Sequence, residues 1–91
     1  MMDSYRYRKK SVVVEAFRLG RDEPPSWWFR ALDEGCVREL PRKGWEQRRW
    51  LIETLEGRVF AQEGDWVIKG VAGELYPCAD HVFTETYEPA T

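Results

Sequence analysis

From Arg49 to Tyr76 the chain is cut into short pieces by turns built on glycine, at Glu56-Gly57, at Glu63-Gly64-Asp65 and at Gly70-Val71-Ala72-Gly73. The runs between them, Trp50 to Leu55, Arg58 to Gln62, Trp66 to Lys69 and Glu74-Leu75-Tyr76, are too short for stable helices and follow a period of two. They predict short antiparallel strands joined by tight turns, with Trp66 and Ile68 on one face. Pro77 has no N–H to give to a ladder and is expected to stop the last of these strands. Beyond it, Ala79 to Phe83 reads as one helical turn and Thr84 to Glu88 as a final edge strand.

The first half is organised differently. Ser11 to Leu19 carries Val12-Val13-Val14 ahead of Glu15-Ala16-Phe17, and that β-branched density predicts a strand ended by Gly20. After a loop over Arg21 to Pro25, Ser26 is placed as the N-cap of a helix from Trp27 to Glu34, stopped by Gly35. Trp28, Ala31 and Leu32 share a face of that helix, which should dock on the sheet. A short strand at Cys36 to Leu40 precedes a turn-rich, charged loop from Pro41 to Arg48. The expected architecture is α+β, one short helix on a curved, mainly antiparallel sheet of five or six strands; a small half-open β-barrel with one helix is the alternative.

With 91 residues, the chain has room for a single core and is read as one domain, residues 1–91, with residues 1–10 as a basic N-terminal segment with room to be flexible. A domain this small buries a low fraction of its surface. The 5 Trp, 4 Tyr and 4 Phe offset that, since each buried aromatic removes roughly 150–250 Å² from water.

Charge narrows the partners. The 14 Lys+Arg against 16 Asp+Glu give a net charge of -2, which disfavours nucleic acid as the general expectation, because phosphate binding draws on a basic excess. Two local basic stretches remain, Arg6-Tyr7-Arg8-Lys9-Lys10 and Arg42-Lys43-Gly44-Trp45-Glu46-Gln47-Arg48-Arg49-Trp50, the second alternating tryptophan with arginine as base-stacking sites do. Trp45, Trp50, Trp66 and Tyr76, with Arg48, Arg49 and Lys69 nearby in sequence, are candidates to line a pocket for a flat anionic ligand such as a nucleotide. Core packing is the plainer reading of the same aromatics.

The residue types for catalysis are sparse. His81 is the single histidine, so a relay would run through it, with Cys78 three positions away or Asp80 beside it. Pro77 precedes that group and no nucleophile elbow marks it. The pairs Asp22-Glu23 and Asp33-Glu34 are sequence neighbours whose side chains diverge, whereas acid–base work needs them to converge. Gly70-x-x-Gly73 lacks the following helix N-terminus that a phosphate loop uses. Cys36 and Cys78 form neither a CxxC nor a histidine cluster, so reduced thiols, no metal and no cofactor are expected. No run approaches the roughly 18 apolar residues of a membrane span, and residues 1–19 lack a signal-peptide core; the expectation is a soluble protein of the host-cell cytoplasm and not an enzyme.

The segments Tyr7 to Phe17 and Gly64 to Pro89, at the two ends of the chain, resemble a family of small uncharacterised phage and prophage proteins. Tyr7-Arg8-Lys9-Lys10-Ser11-Val12-Val13-Val14-Glu15-Ala16-Phe17 is similar to that family's YRKKPVVVEAF start, with Ser11 where proline is usual. Gly64-Asp65-Trp66-Val67-Ile68-Lys69-Gly70-Val71-Ala72-Gly73-Glu74-Leu75-Tyr76-Pro77-Cys78, continuing through Asp80, Phe83 and Thr86-Tyr87-Glu88-Pro89, is similar to its GDYIIKGVKGEFYPCKPDIFEKTYEP ending. His81 departs from the pattern, and the stretch from Leu19 to Trp50 is not covered beyond the helix. The resemblance implies an origin and carries no catalytic residues with it.

Three functions are then expected of such an accessory protein. It binds and blocks or sequesters a host factor or a small anionic, nucleotide-like signal, so counteracting host defence; it assembles as a homo-oligomer in a phage particle through exposed sheet edges; or it binds nucleic acid through Arg6, Arg8, Lys9, Lys10 and the Arg48/Arg49 loop.

Overall fold

The computed structural model describes residues 5–7 and 10–90. Its elements follow in the order β1 (Glu15–Arg18), α1 (Ser26–Glu34), β2 (Val37–Glu39), β3 (Arg49–Thr54), β4 (Gly57–Gln62), β5 (Trp66–Lys69), β6 (Leu75–Cys78) and α2 (Asp80–Thr86). Arg8 and Lys9 of the basic opening lie outside the described residues; Arg6 and Lys10 are exposed.

The α+β class holds, but the strands divide into two three-stranded antiparallel sheets, ordered β1-β5-β6 and β2-β3-β4, in place of one sheet of five or six. Among the described residues no barrel closes. The division is made at the turn after β4. Gly64 takes φ 93, a left-handed conformation that favours glycine. The turn is bonded to Leu19 by Leu19 N–H to the Asp65 carbonyl at 2.8 Å and Gly64 N–H to the Leu19 carbonyl at 2.9 Å. Asp65 also accepts from the Gln62 amide at 3.0 Å. The chain leaving β4 is thereby handed to β1, and β5 pairs there in the register Phe17 to Val67.

The core lies between the sheets. Phe17, Leu19 and Val67 reach it from the first, Val37, Trp50, Ile52 and Ala61 from the second, and Trp28 and Ala31 from α1. Its centre is aromatic and packed edge-on: Phe17 meets Trp28 at 5.1 Å and Trp28 meets Trp50 at 6.4 Å between ring centroids, the geometry the ring quadrupole favours. The helix begins one residue earlier than expected. Ser26 is its first residue and makes no cap; Pro25 is the N-cap, while Gly35 at φ 78 closes the other end as predicted.

Three local expectations are corrected. The strand read from Ser11 to Leu19 is ordered into a ladder only over Glu15–Arg18, because Glu15 already pairs with Lys69, the last residue of β5; Val12 and Val13 are left exposed. Pro77 lies inside β6 and does not end it. The hydrogen bond from Gly70 N–H to the Glu74 carbonyl and the regular register put Pro77 opposite Val67 at a position whose N points away from β5. The missing N–H therefore costs the ladder nothing.

The third correction is α2, which replaces both the single helical turn and the expected edge strand. Phe83 is sandwiched flat between Trp66, at 3.9 Å and 7°, and Tyr87, at 4.9 Å. Asp80 accepts from the Trp66 indole at 2.9 Å and pairs with Arg18 at 3.3 Å. This layer covers the side of the first sheet that faces away from the core, where Ile68 is fully buried. The outer side of the second sheet carries no such cover among the described residues. No helix of the described residues is long and apolar enough to cross a membrane.

Candidate functional site

The seven residues expected to form one pocket are distributed over five places. Trp50 is a core residue, 3% exposed. Trp45 stands in the loop before β3, 87% exposed. Trp66 and Tyr76 lie in neighbouring rows on the outer side of the first sheet, Trp66 opposite Cys78 and under Phe83 of α2, Tyr76 opposite Ile68. Lys69 pairs with Glu15 at 3.8 Å, and Arg49 points outward from β3. Consecutive residues of a strand alternate faces, so neighbours such as Arg49 and Trp50 cannot share a pocket.

Arg48 is tied to the fold. Its Nε and Nη2 donate to the two carboxylate oxygens of Glu39 at 2.9 and 2.8 Å, and its guanidinium lies 4.7 Å from the centre of the Trp50 ring, within cation–π range. The hydrogen bonds from Arg48 hold the Glu39 carboxyl below the usual carboxylate range. A carboxyl whose pKa is depressed by folding adds stability that is present above its unfolded value and lost as the pH falls through its folded value. Glu39→Gln is expected to flatten that part of the acid limb in denaturation curves measured from pH 7 downward. Because both partners are some 40% exposed, the loss at neutral pH should stay below about 1 kcal/mol.

The Cys78 thiol is pushed up by burial, with the charge of Asp65 adding to it, which keeps it protonated and is the reverse of what activates a nucleophile. Tyr76 is pushed up to about 12, by burial first and then by the neighbouring Tyr87 hydroxyl.

Two clefts meet at the end of the molecule where the β3–β4 and β5–β6 turns lie. One, of about 330 Å³, sets Arg30 and Lys69 against Glu34, Glu53 and Glu74. The other, of about 570 Å³, is lined by Leu55, Val59, Leu75, Tyr76 and Pro77 with Glu56 and Glu74. Neither gathers the arginine and tryptophan set read from the sequence.

A basic surface does form elsewhere. On the outer side of the second sheet the register aligns Arg49 with Gln62, Arg38 with Leu51 and Phe60, and Glu53 with Arg58. Leu51 is buried at the centre, and Phe60 beside it is 64% exposed. Arg58 donates to Glu53 at 3.0 Å with its side chain 69% exposed. Three arginines and one carboxylate share with one solvent-facing aromatic ring a face that, among the described residues, has no covering layer. Of these residues the sequence singled out only Arg49. Arg38 lies in β2 and Arg58 and Phe60 in β4, and only the cross-strand register joins them to each other and to Arg49 in β3.

Comparison of the chain with protein-family models, with curated proteins and with solved structures gives no match.

Proposed function

We propose that the chain is a phage or prophage accessory protein that works by binding, and that the partner it holds is an anion met at the outer face of the β2-β3-β4 sheet. The observation that carries this reading is the grouping of Arg38, Arg49 and Arg58 around the exposed Phe60. In a chain of net charge -2, three arginines against one carboxylate on a single face are a local excess of the kind that concentrates polyanions. The clefts support this less, since the charged one holds more carboxylates than cations. The resemblance of both chain ends to phage and prophage proteins supports the accessory role.

Immobilised heparin tests the reading. The protein should be retained at low salt in spite of its overall negative charge, and the Arg38→Gln/Arg49→Gln double variant should elute with the void. Flow-through of the unaltered protein at 50 mM salt would end it.

The apolar cleft favours a second reading, docking of a protein partner against Leu55, Val59, Leu75 and Pro77. Leu55 is 85% exposed, so Leu55→Asp should leave the fold intact and abolish capture of such a partner. Unchanged capture would reject the cleft.

A further inference from the structure

Resting on the anion-binding reading above, we propose that the anion is single-stranded nucleic acid, with a base stacked on Phe60 and successive backbone phosphates held by Arg49, Arg38 and Arg58.

The geometry of the sheet separates this ligand from the other anions. Arg49, Phe60 and Arg58 occupy three successive cross-strand rows. Residues on one face of a strand repeat every two positions, roughly 6.8 Å apart. One phosphate group cannot reach cations spread over three such rows, whereas the phosphates of an extended polynucleotide recur on that scale. A lone mononucleotide would leave at least one arginine unused.

Phe60 separates nucleic acid from other polyanions. An aromatic ring 64% exposed on β4, an edge strand of the sheet, is apolar surface left to water, and a sulfated sugar does not need it. Unpaired bases do, because each offers a flat π face, and stacking of this kind is sequence-tolerant. A duplex keeps its bases stacked on one another and presents its phosphates instead, so it engages the arginines and not the ring. Leu51, directly across from Phe60 and buried, gives the ring a firm floor. Glu53 binds Arg58 from the same face, and an incoming phosphate competes with that carboxylate.

The experiment is fluorescence anisotropy of the full chain with a labelled fifteen-residue oligothymidylate, its duplex with oligoadenylate, and labelled heparin. Variants are Phe60→Ala, Phe60→Trp and Arg38→Gln/Arg49→Gln, each checked for its fold by far-UV circular dichroism. The single strand is expected to bind more tightly than the duplex. Phe60→Ala should weaken it on the order of ten-fold, the effect of losing one stacked base, and leave heparin binding unchanged; Phe60→Trp should restore it, with the introduced indole quenched on binding. The logarithm of the affinity should fall with the logarithm of salt with a slope near -2, about 0.7 for each of three phosphate contacts, and less steeply in the double arginine variant.

If heparin and the single strand both bind and Phe60→Ala changes neither, the anionic face stands and the stacking proposal is overturned. Equal or tighter binding of the duplex overturns it too. If neither polyanion binds, the anion reading falls with it.

Discussion

Trp50→Ala is expected to lower the stability of the fold by about 3–5 kcal/mol, the range for removing a large aromatic from a packed core. Native domains of this class hold together by only about 5–15 kcal/mol, so the variant should be marginal at room temperature. The indole is 3% exposed and stands where three parts of the molecule meet. It packs against Trp28 of α1, belongs to the same cluster as Phe17 of the first sheet, and supports the Arg48 guanidinium that holds Glu39. Urea denaturation followed by far-UV circular dichroism measures the loss. A midpoint within about 0.5 M of the unaltered protein, equivalent to roughly half a kcal/mol for a chain of this size, would show that the two sheets are held together by something other than this cluster.

Phe83→Ala is expected to act more locally. Phe83 is only half-buried, but it is the middle ring of the Trp66–Phe83–Tyr87 stack, and it belongs to a helix of 7 residues, far below the length that is stable alone. Without that ring, α2 keeps the Asp80 contacts to Trp66 and Arg18 and, at its far end, the Tyr87 hydroxyl beside Tyr76. The global cost should be about 2 kcal/mol. Hydrogen exchange read by mass spectrometry should show loss of protection over Asp80–Thr86 and at the Trp66–Lys69 strand beneath, with Arg49–Thr54 unchanged. Retained protection of α2 would assign its docking to Asp80, and Asp80→Ala would then release it.

Most strands were legible because their ends are chemical. Gly57, Gly64 and Gly73 carry positive φ values of 116, 93 and 84, conformations for which glycine is the ready choice, so the runs between them have fixed limits. Trp66–Lys69 was read with its final bounds for that reason. α2 was hidden because its own residues argue against it. Val82, Thr84 and Thr86 are β-branched and favour a strand, and the helix forms because Phe83 stacks on Trp66 with Tyr87 closing its other face, contacts that sequence spacing does not reveal. The two-sheet division was equally hidden, since β1 pairs with β5 about fifty residues later and nothing local announces that partner.

The candidate site was the least legible part. Arg48, Arg49 and Trp50 were read as one basic-aromatic group because they are adjacent, and adjacency in a strand guarantees opposite faces. Arg48 and Trp50 went to the fold, and Arg49 alone went to the surface. Its companions Arg38, Arg58 and Phe60 are ordinary residues in their own strands, and only the β2-β3-β4 register makes them a group.

Pro77 has an effect at the outer rim of β6, where it shares a cleft with the β3–β4 hairpin, as well as inside its ladder. Its ring nitrogen points outward, so a strand of another chain approaching β6 finds no amide hydrogen at that residue, and a continuous run of intermolecular bonds cannot start there. With Val12 and Val13 left in water, an unpaired strand rim is where copies of the molecule would grow onto one another. The proline removes one of the templates on which such growth would proceed.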